Sequence, residues 1–295
     1  MKLLNFGSLN IDRIFSVPYV LRPGETMATA DPKMGAGGKG LNQSVAAARA
    51  GLLVYHAGNV GTDGLFLIEK LREKGVDTSL VRVDEKTPSG CAYIQVEPNG
   101  RNSMFVCPGA NHSLTMAQID ETLSHFAPGD MLLLQNETNL TQELIRRGKA
   151  AGMKIVFNPS PITEEALAYD YSQVDLLIVN EDEAAAISGI TGTPEEMLEA
   201  LSARCAGIVV LTVGKAGAYG KFDSQIEFTP AFPVEAVDTT GAGDTFTGYL
   251  LWALSDGQDL AHAMRTAAKA SALTVTRIGA ADAIPSRDEV ENAKL

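Results

Sequence analysis

The sequence predicts an α/β protein: a mostly parallel sheet, covered by helices on both faces, that carries a small β-sheet lid. Three observations lead there. Short apolar runs alternate with segments of helical period along most of the chain, the recurrence that builds parallel sheets. Two stretches, residues 12–35 and 89–107, break that rhythm with strand-like runs and no helix inside them. Polar residues follow most of the apolar runs, at the strand ends where open α/β sheets hold ligands.

Taken in order, core strands are predicted at residues 3–8, 53–57, 131–135, 154–158, 176–180 and 208–213. Helices are predicted between them at 40–50, 63–74, 116–125, 141–151 and 194–203, and three more follow at 242–255, 260–276 and 287–293. In the second helix-free stretch, an apolar run from Cys91 to Val96 meets the turn Glu97-Pro98-Asn99-Gly100, then a second run from Asn102 to Cys107. Asn-Gly between apolar runs signals a hairpin. The two stretches read as lid inserts in a single domain spanning residues 1–295; long edge strands of the main sheet are the rival reading.

Composition narrows the function. At 45% apolar and 20% charged, the 295 residues can bury a large core. A net charge of −12 without a Lys/Arg cluster argues against nucleic acid or an anionic membrane as partner. A phosphate-bearing ligand stays open, because Mg²⁺ and backbone amides supply positive field locally. No stretch approaches the ~18 apolar residues of a membrane span, and the first apolar run is too short for a signal peptide. Cys91, Cys107 and Cys205 form no C-x-x-C and read as reduced thiols of a cytoplasmic protein. The four histidines lack H-x-x-x-H spacing, which argues against zinc.

The polar strand ends are Asn10 and Asp12, Gln135-Asn136-Glu137, Asn158-Pro159, Asn180-Glu181-Asp182-Glu183 and Thr212-Val213-Gly214. One such residue is ordinarily a helix cap; polar groups after most of the strands ask for a site. Asp238-Thr239-Thr240-Gly241-Ala242-Gly243-Asp244 runs into a predicted helix. Its glycines and the unpaired amides of a helix start make an anion hole for a transferring phosphoryl group. Asp244 at its mouth could accept a proton from an attacking hydroxyl, or could simply cap the helix.

Gly35-Ala36-Gly37-Gly38-Lys39-Gly40 contains G-x-G-x-x-G. It follows the lid rather than a first core strand, and no acid lies about 20 residues on, so it is no dinucleotide fingerprint. Nor is it a P-loop, since Lys33 stands where the first Gly belongs and Gly40 replaces the Ser/Thr. The better reading is close backbone approach to a ligand, with Lys39 and Asn42 offering hydrogen bonds to hydroxyls. Gly214-Lys215-Ala216-Gly217-Ala218-Tyr219-Gly220 could hold a nucleotide or form a hairpin turn.

With these motifs assembled, the chain resembles the ribokinase family of carbohydrate kinases (the PfkB group) over essentially its whole length. The resemblance rests on Gly7-Ser8-Leu9-Asn10-Ile11-Asp12, Gly37-Gly38-Lys39-Gly40-Leu41-Asn42-Gln43, Asn158-Pro159-Ser160-Pro161, Asn180-Glu181-Asp182-Glu183 and the 238–244 segment, in that order. It implies a doubly wound core with a β-sheet lid that also forms a dimer contact. It implies phosphoryl transfer from ATP to a sugar hydroxyl, foremost O5 of D-ribose. Asn10, Asp12, Gly38, Lys39, Asn42 and Glu137 would surround the sugar. Asp244 would be the base, and the backbone of Gly241, Ala242 and Gly243 the anion hole. Asn180 and Glu183 would organise Mg²⁺, phosphate and water. Thr212, Gly214, Lys215 and Gly217 would run along the nucleotide with Gly243, and Ala268 stands near the adenine where the family often has His. Asp238, Thr240, Thr274, Arg277 and Gly279 match a K⁺ site, with Ala283 where the family usually has Ser. Residues 106–111, Val-Cys-Pro-Gly-Ala-Asn, depart from a common His-Ala before Gly-Ala-Asn. Other acceptors (2-deoxyribose, a nucleoside, a hexose) remain alternatives, as does a sugar-binding regulator without catalysis.

Overall fold

The computed structural model describes residues 1–98 and 100–295, so Asn99 of the expected Asn-Gly turn lies outside the described residues. The strands are β1 (Leu3–Phe6), β2 (Asn10–Ser16), β3 (Lys33–Gly37), β4 (Val54–Gly61), β5 (Asp77–Asp84), β6 (Gly90–Val96), β7 (Asn102–Cys107), β8 (Met131–Gln135), β9 (Lys154–Asn158), β10 (Leu176–Asn180), β11 (Ile208–Thr212), β12 (Gly217–Phe222) and β13 (Gln225–Pro230). The helices are α1 (Lys39–Ala50), α2 (Leu65–Glu73), α3 (Met116–Leu123), α4 (Thr141–Ala150), α5 (Glu164–Leu167), α6 (Glu181–Ser188), α7 (Pro194–Ser202), α8 (Ala242–Ser255), α9 (Leu260–Val275) and α10 (Arg287–Asn292).

Nine strands form one sheet in the order β13-β12-β11-β10-β9-β8-β1-β4-β5. From β11 to β5 every pairing is parallel; β12 and β13 close one edge as an antiparallel hairpin. Apolar runs without alternation are what a sheet buried on both faces demands. Neighbouring residues accordingly enter different cores: Leu3 and Leu133 pack with α1, α2, α8, α9 and α10, while Leu4, Leu132 and Leu134 pack with α3 to α7. No helix among the described residues is long and apolar enough to cross a membrane.

The other four strands form a separate sheet, β3-β2-β6-β7, which fits a lid and not extended edges of the main sheet. Its outer strand β7 is exposed along its whole length.

Five elements, β5, β12, β13, α5 and α6, go beyond the sequence expectation. Strand β5 is charged and half-exposed, Asp-Thr-Ser-Leu-Val-Arg-Val-Asp, so its edge position leaves little apolar signal. Helix α6 starts without a loop after β10, with Asn180 and Glu183 forming a capping box. The 214–220 glycine segment makes the turn between β11 and β12, which pair antiparallel, so its hairpin reading holds structurally.

The fold gathers chain ends along one edge. Gln135, Asn158, Asn180 and Thr212 are the last residues of the adjacent parallel strands β8, β9, β10 and β11. Helices α1 and α8 approach the same edge and touch closely: a Cβ on Gly248 would lie 2.5 Å from the Ala46 Cβ.

Candidate active site

Helix α8 begins after Gly241, whose φ of 77° lies in the left-handed region that favours glycine. No side chain caps this start, so Asp244 is not a cap. Its two carboxylate oxygens instead accept from Asn42 Nδ2 at 3.0 Å and Gln43 Nε2 at 2.9 Å, both on α1. A buried chain of amides aims Gln43. Gln135 Nε2 donates to Gln43 Oε1 at 2.7 Å, which leaves the Gln43 amide nitrogen to donate to Asp244 and to Asn158 Oδ1. Burial pushes the Asp244 pKa above the ordinary carboxylate range, and the nearby Lys39 charge and the two amides oppose it only in part.

Around Asp244 stands a charged and polar cluster. Glu137 Oε2 accepts from the Lys39 backbone amide at 2.9 Å and from the Ser8 hydroxyl, while Glu137 Oε1 lies 3.7 Å from the Lys39 ammonium. Burial draws the Lys39 pKa down, but the carboxylates of Glu137, Asp244 and Glu183 outweigh it and the net shift is upward. Asn10 is buried and held by Asn111, which donates to its Oδ1 at 2.7 Å and also bonds Leu9. Asn42 Oδ1 is buried without any hydrogen-bond partner among the described residues. A buried acceptor left open is uncommon, and the nitrogen of the same amide is the one that donates to Asp244.

The glycines before α1 serve the protein's own packing more than the sequence suggested. A Cβ on Gly37 would sit 2.2 Å from an Asp12 carboxylate oxygen, and one on Gly40 would sit 2.3 Å from the Ser8 amide nitrogen. Gly38 links lid and helix with φ of 94°.

Asp12 is strongly perturbed: burial and then the Glu137 charge raise its pKa to about 7. In the unfolded chain the same group loses its proton near about pH 4. Folding therefore takes up a proton between these values, and stability falls as pH rises through that window. Asp12→Asn removes the penalty. The ligand-free variant is expected to melt above the parent at about pH 8, with the gap closing toward about pH 5. Equal melting curves at the higher pH would sink the buried-charge account.

On the other side of the α8 start lies a groove of about 360 Å³, bordered by Thr212, Gly214, Lys215, Gly217, Gly243 and Ala268. Nothing lies within 4 Å of where a Gly243 Cβ would point. A larger cavity, about 560 Å³, sits beside Gln258, His262 and Leu295 and contains none of these residues.

The remaining expected residues are placed less directly. The Asn180 and Glu183 side chains bond each other's backbone amides in the α6 capping box, with the Glu183 charge felt at Lys39. Asp238 is tied to Thr240, through its amide at 2.9 Å and its hydroxyl at 2.7 Å, and to the Gly279 amide at 2.9 Å. Thr274 is fully buried against Thr245 and Ala270. The Arg277 guanidinium points away to Glu289, 2.7 Å distant; only its backbone stays near Thr274. Among the described residues no group of three or more His, Cys, Asp or Glu is placed to hold a metal.

Sequence reasoning named Gln135 and Asn158 as polar strand ends and Ser8 and Gln43 within family motifs, but gave none of them, nor Asn111, the part they play in holding Glu137, Asp244 and Asn10 in position. Gln43 had a usable signal: a polar residue beside Asn42 on a helix that must bury one face.

Comparison with known proteins agrees over the whole length. Residues 1–287 match a known family, described as pfkB family carbohydrate kinase. A ribokinase of Haemophilus influenzae is 35% identical over 294 residues, covering 96% of this chain and 95% of the relative. A ribokinase of Cryptococcus neoformans var. grubii in complex with ADP aligns in structure with a TM-score of 0.85 at 31% identity, covering 98% of each chain. An Arabidopsis thaliana ribokinase complexed with ribose and ATP gives 0.85 at 28%, covering 98% of this chain and 97% of that one.

Proposed function

Because the chain belongs to the pfkB family of carbohydrate kinases, we propose that it transfers the γ-phosphoryl group of ATP to the 5-hydroxyl of D-ribose. One observation carries the reading: the Asp244 carboxylate stands between a polar cluster with an open buried acceptor and a groove at a helix start. In this reading the polar cluster supplies directional partners for a small polyol, and Asn10, Asp12, Lys39, Asn42 and Glu137 would meet its hydroxyls. A site so built rejects ligands that lack them.

Asp244 takes the proton of the attacking hydroxyl, and its raised pKa suits that task better than an ordinary carboxylate would. Ala242 and Gly243 at the start of α8 border the groove, where the positive end of the helix would balance charge on the phosphoryl group in flight. Thr212, Gly214, Lys215 and Gly217 run along the nucleotide, and Ala268 borders its base.

Mg²⁺ fits this donor set as a guest of the phosphates. It binds few protein carboxylates and keeps several waters, which matches the absence of an all-protein metal cluster among the described residues. Glu183, with Asn180, would hold it through water, and it would supply charge neutralisation. A monovalent cation, K⁺, would sit by Asp238, Thr240, Thr274, Arg277 and Gly279, mainly on carbonyl oxygens. Asp238 keeps a depressed pKa there, since its bonds to Thr240 and Gly279 outweigh burial. Ala283 offers no side-chain oxygen.

Exposed Met34, Met104, Phe105 and Val106 on the lid support a homodimer through that sheet; sedimentation of a single-chain mass would remove it. The three free thiols support a cytoplasmic setting.

The test is purified protein with Mg²⁺-ATP and a panel of ribose, 2-deoxyribose, nucleosides and hexoses, run in K⁺ and again in choline. Turnover on ribose no faster than sugar-free ATP hydrolysis would overturn the ribose assignment. Equal rates in both salts would remove the cation.

A further inference from the structure

We propose that Cys91 and Cys107 are an oxidation site in the lid: a peroxide joins them as a disulfide, and the bond alters sugar binding. Strands β6 and β7 are antiparallel, and these two residues are direct partners in their ladder. Directly opposed side chains share one face of the sheet, with Cβ atoms about 4.5–5.5 Å apart. The Glu97 amide donates to the Arg101 carbonyl at 2.8 Å at the hairpin end. Hydrogen-bonded pairs recur at every second position, with a Cα spacing of about 5.5 Å. Counting back along the register, Cys91–Cys107 is such a pair. That Cα spacing falls within the roughly 4.4–6.8 Å range that disulfides span, while the Cβ atoms of such a pair stand wider than the roughly 3.5–4.5 Å of a disulfide, so the bond draws the two strands together at this end of the ladder.

The two thiols are free and differ in access, Cys107 exposed and Cys91 buried. Both reach the same spot: Tyr93, on their face of the sheet, has its hydroxyl pKa raised first by a hydrogen bond with Cys91 and further by Cys107. Cys205 lies elsewhere, buried, with its Sγ on the Val174 carbonyl.

The chemistry balances with hydrogen peroxide as the oxidant. The Cys107 sulfur takes one peroxide oxygen to become a sulfenic acid, and water leaves. The Cys91 sulfur then attacks the Cys107 sulfur, forming S–S and breaking S–O; the departing hydroxide takes the Cys91 proton and leaves as the second water. A dithiol reverses it.

The bond would fasten the exposed outer strand β7 at its last residue. Residues 108–111 follow, and Asn111 grips Leu9 and Asn10 in the polar cluster. A new constraint at Cys107 therefore bears on the residues that would meet the sugar and not on the groove. This second consequence rests on the kinase reading; the bond itself does not.

The experiment treats the full chain with hydrogen peroxide, alkylates it under denaturing conditions and maps its peptides. Expected are a link between the peptides bearing Cys91 and Cys107, a mass lower by two hydrogens, one alkylated residue at Cys205, and full reversal by dithiothreitol. Cys107→Ser and Cys91→Ala should each form no link. A sulfinic acid at Cys107 with Cys91 still alkylated, or a covalent dimer through Cys107, would overturn the pairing. In assays, the half-saturating sugar concentration should move several-fold on oxidation while that for ATP stays put. Unchanged sugar values, in protein that turns over and carries the link, would overturn the effect on binding; no turnover in either form would count against the kinase reading instead.

Discussion

Asp244→Asn is expected to lower turnover about a thousandfold while ATP and sugar still bind, the scale on which a positioned general base contributes. Asparagine keeps the shape of the side chain and can still meet one of the two amides now aimed at the carboxylate, Asn42 Nδ2 or Gln43 Nε2. What it lacks is a site for the proton. Steady-state kinetics paired with calorimetric titration of each ligand read this directly. A second mark is the pH profile. A base must be ionised to act, so the parent's activity should fall as pH drops through a pKa above the ordinary carboxylate range. The variant's residual rate should lose that acid limb. If Asp244 only pins α1 to α8, the substitution should instead cost stability and leave turnover within a few-fold of the parent.

Gly248→Ala is expected to destabilise the fold and slow the enzyme, although helix propensity argues the reverse. Glycine to alanine inside a helix ordinarily gains about 1 kcal/mol. Here the added Cβ would lie 2.5 Å from the Ala46 Cβ, 2.5 Å from the Ala47 amide nitrogen and 2.6 Å from the Ala46 carbonyl carbon. Two of these are backbone atoms of α1 and cannot swing aside, so the helices must part. Forcing extra volume into a packed contact costs about 1–3 kcal/mol, which exceeds the propensity gain over most of that range. Gly248 lies one turn beyond Asp244 on α8, and α1 carries Asn42 and Gln43. Separation should therefore loosen the hold on the carboxylate and lower turnover along with the melting temperature. A variant that melts higher than the parent would show that the contact relaxes freely.

Much of this was legible in the sequence because it rests on local rules. Apolar runs marked β8, β9, β10 and β11, and β1 apart from its buried Asn5, since strands buried on both faces have few polar positions. The polar residues after them marked the edge of the sheet where the site lies. The Asn-Gly turn and the missing helices marked the second sheet. Strand β5 escaped because an edge strand needs little apolar surface. Helix α6 escaped because its capping residues, Asn180 and Glu183, looked like site residues. Gln43, Gln135 and Asn158 could not be found from spacing. Their partners lie 92 and 115 residues apart in the chain, and only the parallel register brings Gln135 beside Asn158.

The junction between lid and core has a mechanical meaning. Strand β3 ends at Gly37 and helix α1 begins at Lys39, so a single residue of slack separates the flap from the rod that carries Lys39, Asn42 and Gln43. A longer tether would let the flap swing while the rod stayed still. With one link, a tug on the flap is transmitted as torque to the residues gripping Asp244. In the proposed kinase, capture of a ligand under the flap would then align the base in one stroke of the same lever, with Gly38 as its pivot.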